Sequence, residues 1–210
     1  MSTIAVIAKE PIAGRVKTRL CPPCTTEQAA DLADAALRDT LAAVSRTRAQ
    51  RRVLIFEGDA EKYRRGFDVI PQSGGDLARR LGRGFDAIGS AAFLIGMDTP
   101  QVTTSALDEA LDALSAPDVD AVLGPTFDGG YWGIGLKEPD PAVFTGVPMS
   151  STETFRSQLE RLRHLDLRVS FLPPLRDVDL FHDAVTVAGS IPDSGFARHV
   201  WEVQQELAIA

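Results

Sequence analysis

Apolar residues along this chain follow two rhythms. Unbroken runs, IAVIA from Ile4, VLIF ending at Phe56 and AAFLI from Ala91, predict short strands buried on both faces. Between them apolar residues recur every third or fourth position. From Thr26 to Ser45 this spacing puts Ala29, Leu32, Ala33, Ala36, Leu37, Thr40, Leu41 and Val44 on one helical face. The segment Asp59 to Arg65 reads as a short exposed helix, FDVIP as a further strand, and a helix capped by Asp76 begins near Leu77. Thr103 or Thr104 caps another, running to about Ser115.

Asp120 to Leu136 then reads strand, loop, strand, and Ala142 to Phe144 make one helical turn. Ser150 to Thr152 cap a longer helix with Glu153 in its first turn, LRVSFLPPL is the last strand, and an amphipathic helix follows Pro192 with Phe196, Val200, Val203 and Leu207 on one side. Strands alternating with helices predict an α/β fold with a mostly parallel sheet covered on both faces. In such folds, ligands bind at the carboxyl ends of the strands.

Composition narrows this picture. A length of 210 residues suits one domain spanning 1–210, and 44% hydrophobic with 24% charged residues is ordinary for a globular protein. With 29 acidic against 22 basic residues the net charge is -7, which argues against nucleic acid as a partner. No apolar run reaches the roughly 20 residues of a membrane span, and the N-terminus lacks a signal-peptide pattern, so no membrane partner and a cytoplasmic location are expected. Trp201 fits either the core or a dimer contact, which leaves a homodimer compatible with the sequence. Cys21 and Cys24 form CPPC. Zinc would need two more good ligands, and a helix starting at Thr25 or Thr26 would suit redox chemistry, but two inert loop thiols are the simpler reading.

The main chemical signal lies where the first strand ends. Lys9, Arg15, Lys17 and Arg19 face a single acid, Glu10, and in an acidic chain that local excess of cations calls for an anion such as a phosphate chain. Gly14 allows close backbone approach and Pro11 stiffens the start of the loop. The loop is not a Walker A motif, because Val16 precedes Lys17 where that motif needs Gly. GRGFDA, Gly82 to Ala87, lies inside a helical pattern and is no dinucleotide fingerprint.

Three further strand ends carry candidate chemistry. After FDVIP, Gln72, Gly74, Gly75 and Asp76 offer amide and bare backbone groups for a nucleobase or ribose, or simply an ordinary turn with Asp76 as cap. Asp98, ending a buried strand, is costly unless it caps, pairs or holds a divalent metal on a diphosphate. Asp177, at the exit of the last strand, is the second metal candidate. Asp128, Gly129 and Gly130 form a turn signal, and Tyr131 and Trp132 beside four glycines suggest an aromatic wall for an acceptor. Ser150 to Thr152 carry hydroxyls that could touch the same substrate.

Together AKEPIAGRVKTRL, QSGGDL, GMDTP, GPTFDGGYWGIGL and LPPLRDVD resemble the nucleotide-diphospho-sugar transferase superfamily of glycosyltransferase A-type fold, over nearly the whole chain. Within it the chain is most similar to the radical-SAM/selenodomain-associated transferases, some assigned to arsenosugar biosynthesis. It is more distantly similar to the guanylyltransferases of molybdenum cofactor and 2-phospholactate. The resemblance implies a three-layer α/β/α sandwich. It also implies Lys9, Gly14, Arg15, Lys17 and Arg19 around nucleotide phosphates, Gln72, Gly74, Gly75 and Asp76 at base and ribose, and Asp98 and Asp177 on magnesium or manganese. Asp128, Gly129, Gly130 and Tyr131, with Trp132 beside them, would line the acceptor side. Thr99 stands where that family usually has Cys, Trp132-Gly133 where it has Tyr-Leu, and DVDLF replaces DVDTP.

The function expected is metal-dependent transfer of a glycosyl group from a nucleotide-sugar to a small acceptor, with Lys17 neutralising the leaving diphosphate and Asp128 as candidate base. The alternative is a nucleotidyltransferase joining an NMP from an NTP to a phosphorylated small molecule, which the paired acids favour. A non-catalytic nucleotide sensor is the third reading.

Overall fold

The computed structural model describes residues 2–209. Its centre is a seven-stranded sheet in the order β3-β2-β1-β4-β6-β5-β7. The strands are β1 (Thr3–Lys9), β2 (Arg51–Glu57), β3 (Asp68–Pro71), β4 (Ala92–Ile95), β5 (Ala121–Pro125), β6 (Tyr131–Leu136) and β7 (Val169–Phe171). Neighbouring strands run parallel except at β6, which lies antiparallel between β4 and β5. The apolar runs form the central strands because both of their faces are covered: all four residues of β4 are buried.

Among the described residues there are six α-helices, α1 (Thr26–Ser45), α2 (Leu77–Ile88), α3 (Thr104–Ser115), α4 (Thr154–His164), α5 (Phe181–Ser190) and α6 (Gly195–Ile209), and the first four cover the sheet. Alternation along β1 sends Ile4 and Val6 into one core with Leu37 of α1 and Leu107 of α3, and Ala5 into the other with Phe85 of α2 and Leu162 of α4. The result is a three-layer α/β/α sandwich with a mostly parallel sheet. Gly84 lets α2 approach the sheet, since a Cβ there would lie 2.8 Å from Ile55 Cδ1.

Helix α1 buries eleven of its 20 residues, too many for one stripe. Its far face packs Ala29, Leu32 and Ala36 against Val187 of α5 and Phe196 and Val200 of α6. This explains its alanine content, because helices on both sides need close approach. The Asp39 carboxylate accepts from Gly195 N at 3.3 Å and Phe196 N at 2.7 Å, which docks the start of α6 on α1. At the start of α1, Thr25 and Gln28 form a reciprocal capping box. Just before it, Cys24 is buried and its thiol is pushed up to about 11, first by burial and then by Cys21. A protonated thiol is a poor nucleophile and a poor metal ligand.

Three local expectations change. Asp59 to Arg65 makes a turn rather than a helix: Tyr63 N and Arg64 N both donate to Ala60 O, and the Tyr63 ring is buried 5.3 Å from that of Phe56. So short a segment gains more from this one anchored ring than from a helical nucleus. Helix α4 starts at Thr154, beyond the serines, because the Thr154 hydroxyl donates to Pro148 O and Ser151 Oγ accepts from Glu153 N in the preceding turn. The stretch after Asp179 runs directly into α5, which the hydrophobic pattern does not predict.

Candidate functional site

A cleft of about 850 Å³ opens along the carboxyl ends of β1 and β4 and the start of the reversed strand β6. One half is bounded by Lys9, the segment Val16–Arg19, Gln72 and Arg80. The other is bounded by Asp128–Gly133 without Gly129, by Met149–Thr152 and by Asp177–Asp183 without Val178 and Phe181.

The cationic loop is held by its apolar residues, Val16 and Leu20, both buried. Lys9 folds back along it, donating from Nζ to Arg15 O at 2.8 Å. Gly14, at φ 74°, and the exposed Arg15 form the outer crest of the loop and do not line the cleft. Lys17 has a left-handed backbone, φ 46°, a conformation that costs a non-glycine residue about 1 kcal/mol. That geometry turns its side chain inward. Its Nζ lies 2.5 Å from Asp98 Oδ1, 2.5 Å from Val178 O and 3.9 Å from Asp179 Oδ1, and Arg19 pairs with Asp179 at 2.6 Å.

The two strand-end acids come together because Val178 N donates to Asp98 O at 3.0 Å, joining the segments side by side. Burial, then the negative charges of Asp98 and Asp128, push the Asp177 carboxyl up to about 8 against the pull of Lys17, with Asp179 adding to the rise. Such a carboxyl gives up its proton most readily when a cation stands beside it. Among the described residues no group of three His, Cys, Asp or Glu is placed to hold a metal ion by itself. Two carboxyl groups, Asp98 and Asp177, are the donors present, and oxygen donors of this kind suit a hard ion that completes its shell with phosphate oxygens and water, as magnesium or manganese does.

On the other half, the Asp128 Oδ1 accepts from the Thr126 hydroxyl at 2.5 Å and from Gly130 N at 3.1 Å, leaving Oδ2 without a partner among the described residues. Gly129, at φ 93°, is where the hairpin and the loop before α4 interlock: a Cβ there would sit 2.1 Å from Thr152 O, and Phe155 N donates to Gly129 O at 2.8 Å. The interlock carries Ser150 and Thr152, both exposed, to the cleft edge.

Several expected site residues have other work. Gln72 lines the cleft, but its amide is spent on the scaffold. Nε2 donates to Ala8 O at 2.6 Å and Oε1 accepts from Arg80 at 3.0 Å, so it braces the ends of the strands instead of offering itself to a nucleobase. Asp76 caps α2 by accepting from Arg79 N at 2.8 Å, and Gly74, Gly75 and Asp76 stand outside the cleft wall. The aromatic wall is also corrected. Successive residues of a strand face opposite ways, so Trp132 points into the core, 3% exposed, edge-on to Phe93 at 5.5 Å and donating to Pro173 O. Both residues line the cleft, but of the two rings only that of Tyr131 keeps partial exposure there. Its hydroxyl turns toward Gln158 and Met149, and burial pushes its phenol up.

The sequence did not point to Asp179 as the partner of Arg19, nor to Asp183, which pairs with Arg176 at 3.1 Å at the cleft mouth. The one available signal was the spacing of Asp177 and Asp179, which places them on the same side of an extended segment. Which cation would meet them depends on a chain reversal some 160 residues long.

The chain is 29% identical to a Desulfovibrio desulfuricans G20 protein provisionally named a nucleotide-diphospho-sugar transferase, with a TM-score of 0.84 over 97% of both chains. CMP:2-keto-3-deoxy-manno-octonic acid synthetase in complex with CTP shares the fold at 10% identity and a TM-score of 0.59, over 91% of this chain and 98% of the other. So does a Mycobacterium tuberculosis H37Rv protein in complex with manganese, at 20% identity and a TM-score of 0.52, over 90% and 98%. No curated protein matches the chain in sequence. No helix among the described residues is long and apolar enough to cross a membrane. Residues 27–151, more than half of the chain, match the family described as "Uncharacterized protein conserved in bacteria (DUF2064)", and the chain belongs to that family.

Proposed function

We propose that this chain is a metal-dependent transferase that binds a nucleotide-sugar and passes its glycosyl group to a small acceptor, working as a single domain. The observation that carries the reading is the meeting of a cationic loop with two strand-end acids, Asp98 and Asp177, in one cleft. The similarity to the Desulfovibrio protein, whose name is of the same class, supports it. The nucleotide phosphates would lie against Lys17 and Arg19, with Lys9 bracing the loop. A magnesium or manganese ion on Asp98 and Asp177 would supply charge neutralisation of the diphosphate.

In the transfer, the bond between the sugar's anomeric carbon and the diphosphate breaks and its electron pair leaves with the diphosphate. The acceptor oxygen bonds to that carbon and gives up its proton, for which the free Oδ2 of Asp128 is the candidate base. Lys17 moves onto the departing phosphate and stabilises it.

Nucleotidyl transfer from an NTP is the second reading, favoured by the proximity of two acids able to share metal. A thermal-shift panel with each NTP, NDP and common NDP-sugar, with and without magnesium or manganese, separates the two. Metal-dependent stabilisation by one NDP-sugar and its NDP is the expected result. Preference for an NTP would replace glycosyl by nucleotidyl transfer, and no shift with any nucleotide would remove both.

A further inference from the structure

The charges around the cleft are not evenly distributed. Every lysine and arginine that lines it, Lys9, Lys17, Arg19 and Arg80, comes from the end of β1, the loop after it or α2. The opposite half is made by residues 128–133, 149–154 and 177–183, and these stretches contain no lysine or arginine. They contribute Asp128, Asp177, Asp179 and Asp183 to the lining. The cations nearest this half are already engaged: Arg19 with Asp179 at 2.6 Å and Arg176 with Asp183 at 3.1 Å, the latter also lying 5.4 Å over the Phe127 ring. His182 alone can add positive charge, and only when protonated. What remains available is Asp128 Oδ2, the exposed Ser150 and Thr152, and the border of Tyr131.

On the reading of the cleft given above, we infer that the acceptor is an uncharged hydroxyl compound, a polyol or sugar without phosphate or carboxylate, recognised through Asp128, Ser150 and Thr152. A phosphate ester placed there would face carboxylates with no arginine or lysine left to pair with it, and a desolvated anion without a partner is strongly disfavoured. Hydroxyl groups, by contrast, can donate to the Asp128 carboxylate and exchange hydrogen bonds with the serine and threonine. The acidic lining thus selects by repulsion as well as by contact.

The test uses the full chain loaded with magnesium and with whichever NDP stabilises it in the thermal-shift panel. Matched pairs, glycerol with glycerol 3-phosphate and glucose with glucose 6-phosphate, are titrated at low salt with ligand-observed NMR as the readout. The neutral member of at least one pair is expected to bind about tenfold or more tightly than its phosphorylated partner. High salt should shrink that ratio by screening the repulsion. Thr152→Lys, at an exposed position, should narrow or reverse it by supplying the missing cation. Equal or tighter binding of the phosphorylated member by the unaltered protein, or binding of neither member to nucleotide-loaded protein, overturns the inference while leaving nucleotide binding intact. If no nucleotide stabilises the protein with either metal, the transferase reading falls and takes this inference with it.

Discussion

Lys17 Nζ lies 2.5 Å from Asp98 Oδ1, so the cation expected to meet the nucleotide phosphates rests on a carboxylate expected to hold metal. The lysine side chain is 11% exposed and the aspartate 46%, so the pair is shielded on one side and open to the cleft on the other. On the proposed reading, metal and nucleotide part these two residues together. Lys17→Met should let Mn2+ alone bind about tenfold or more tightly, because a positive charge leaves the carboxylate cluster. The same change should weaken nucleotide binding about 10- to 100-fold. Titration calorimetry with each ligand checks both directions, and a fall in Mn2+ affinity would contradict the arrangement.

On the proposed reading, metal binding has a definite pH dependence, because the Asp177 carboxyl is pushed up to about 8. Below that pH a metal ion must displace a proton, so apparent Mn2+ affinity should rise about tenfold per pH unit up to roughly 8 and then level off, with close to one proton released per ion at pH 6. Stability of the metal-free protein follows the opposite course. A carboxyl whose pKa is raised in the folded state contributes stability that is full below about 4, its unfolded value, and is lost as pH climbs through 8. Asp177→Asn should flatten both profiles, as calorimetry and melting curves between pH 5 and 9 would register.

Gly14 and Gly129 share a left-handed backbone, φ 74° and 93°, but not their surroundings. A Cβ at Gly14 meets nothing within 4 Å, so Gly14→Ala should cost only about 1 kcal/mol of backbone strain. At Gly129 the same methyl would lie 2.1 Å from Thr152 O, and one of the two loops must move. Gly129→Ala should cost roughly 3 kcal/mol or more in denaturant unfolding. Any acceptor binding should weaken with it while nucleotide binding holds.

The parts of this molecule that were legible in its sequence are those governed by local pattern. Buried strands written as continuous apolar runs, the α1 cap at Thr25, and acids placed just where an apolar run stops all depend on neighbours a few residues away. The side of the sheet was harder. Tyr131 and Trp132 are adjacent and both aromatic, yet one ring keeps partial exposure at the cleft and the other fills the core, a parity fixed by the register of β6 against β4 and invisible without it. Gln72 misled for a related reason, because its amide partners, Ala8 and Arg80, belong to β1 and α2. The double burial of α1 was hidden as well, since alanine satisfies a close sheet contact and a close helix contact equally.

Strand β6 runs against its neighbours, so its first residue, not its last, reaches the cleft, preceded by the turn Asp128–Gly130. Two kinds of boundary thus meet at one opening: loops that run into helices on both halves, and a hairpin tip on the carboxyl-lined half alone. A crossover loop is committed to the helix that follows it, and lengthening it disturbs the packing of a whole layer. A hairpin tip answers only to its two strands and to the loop locked against Gly129. On the proposed reading, acceptor preference is therefore open to change at the hairpin tip, by exchange of a few residues, while the cationic half is inherited unchanged.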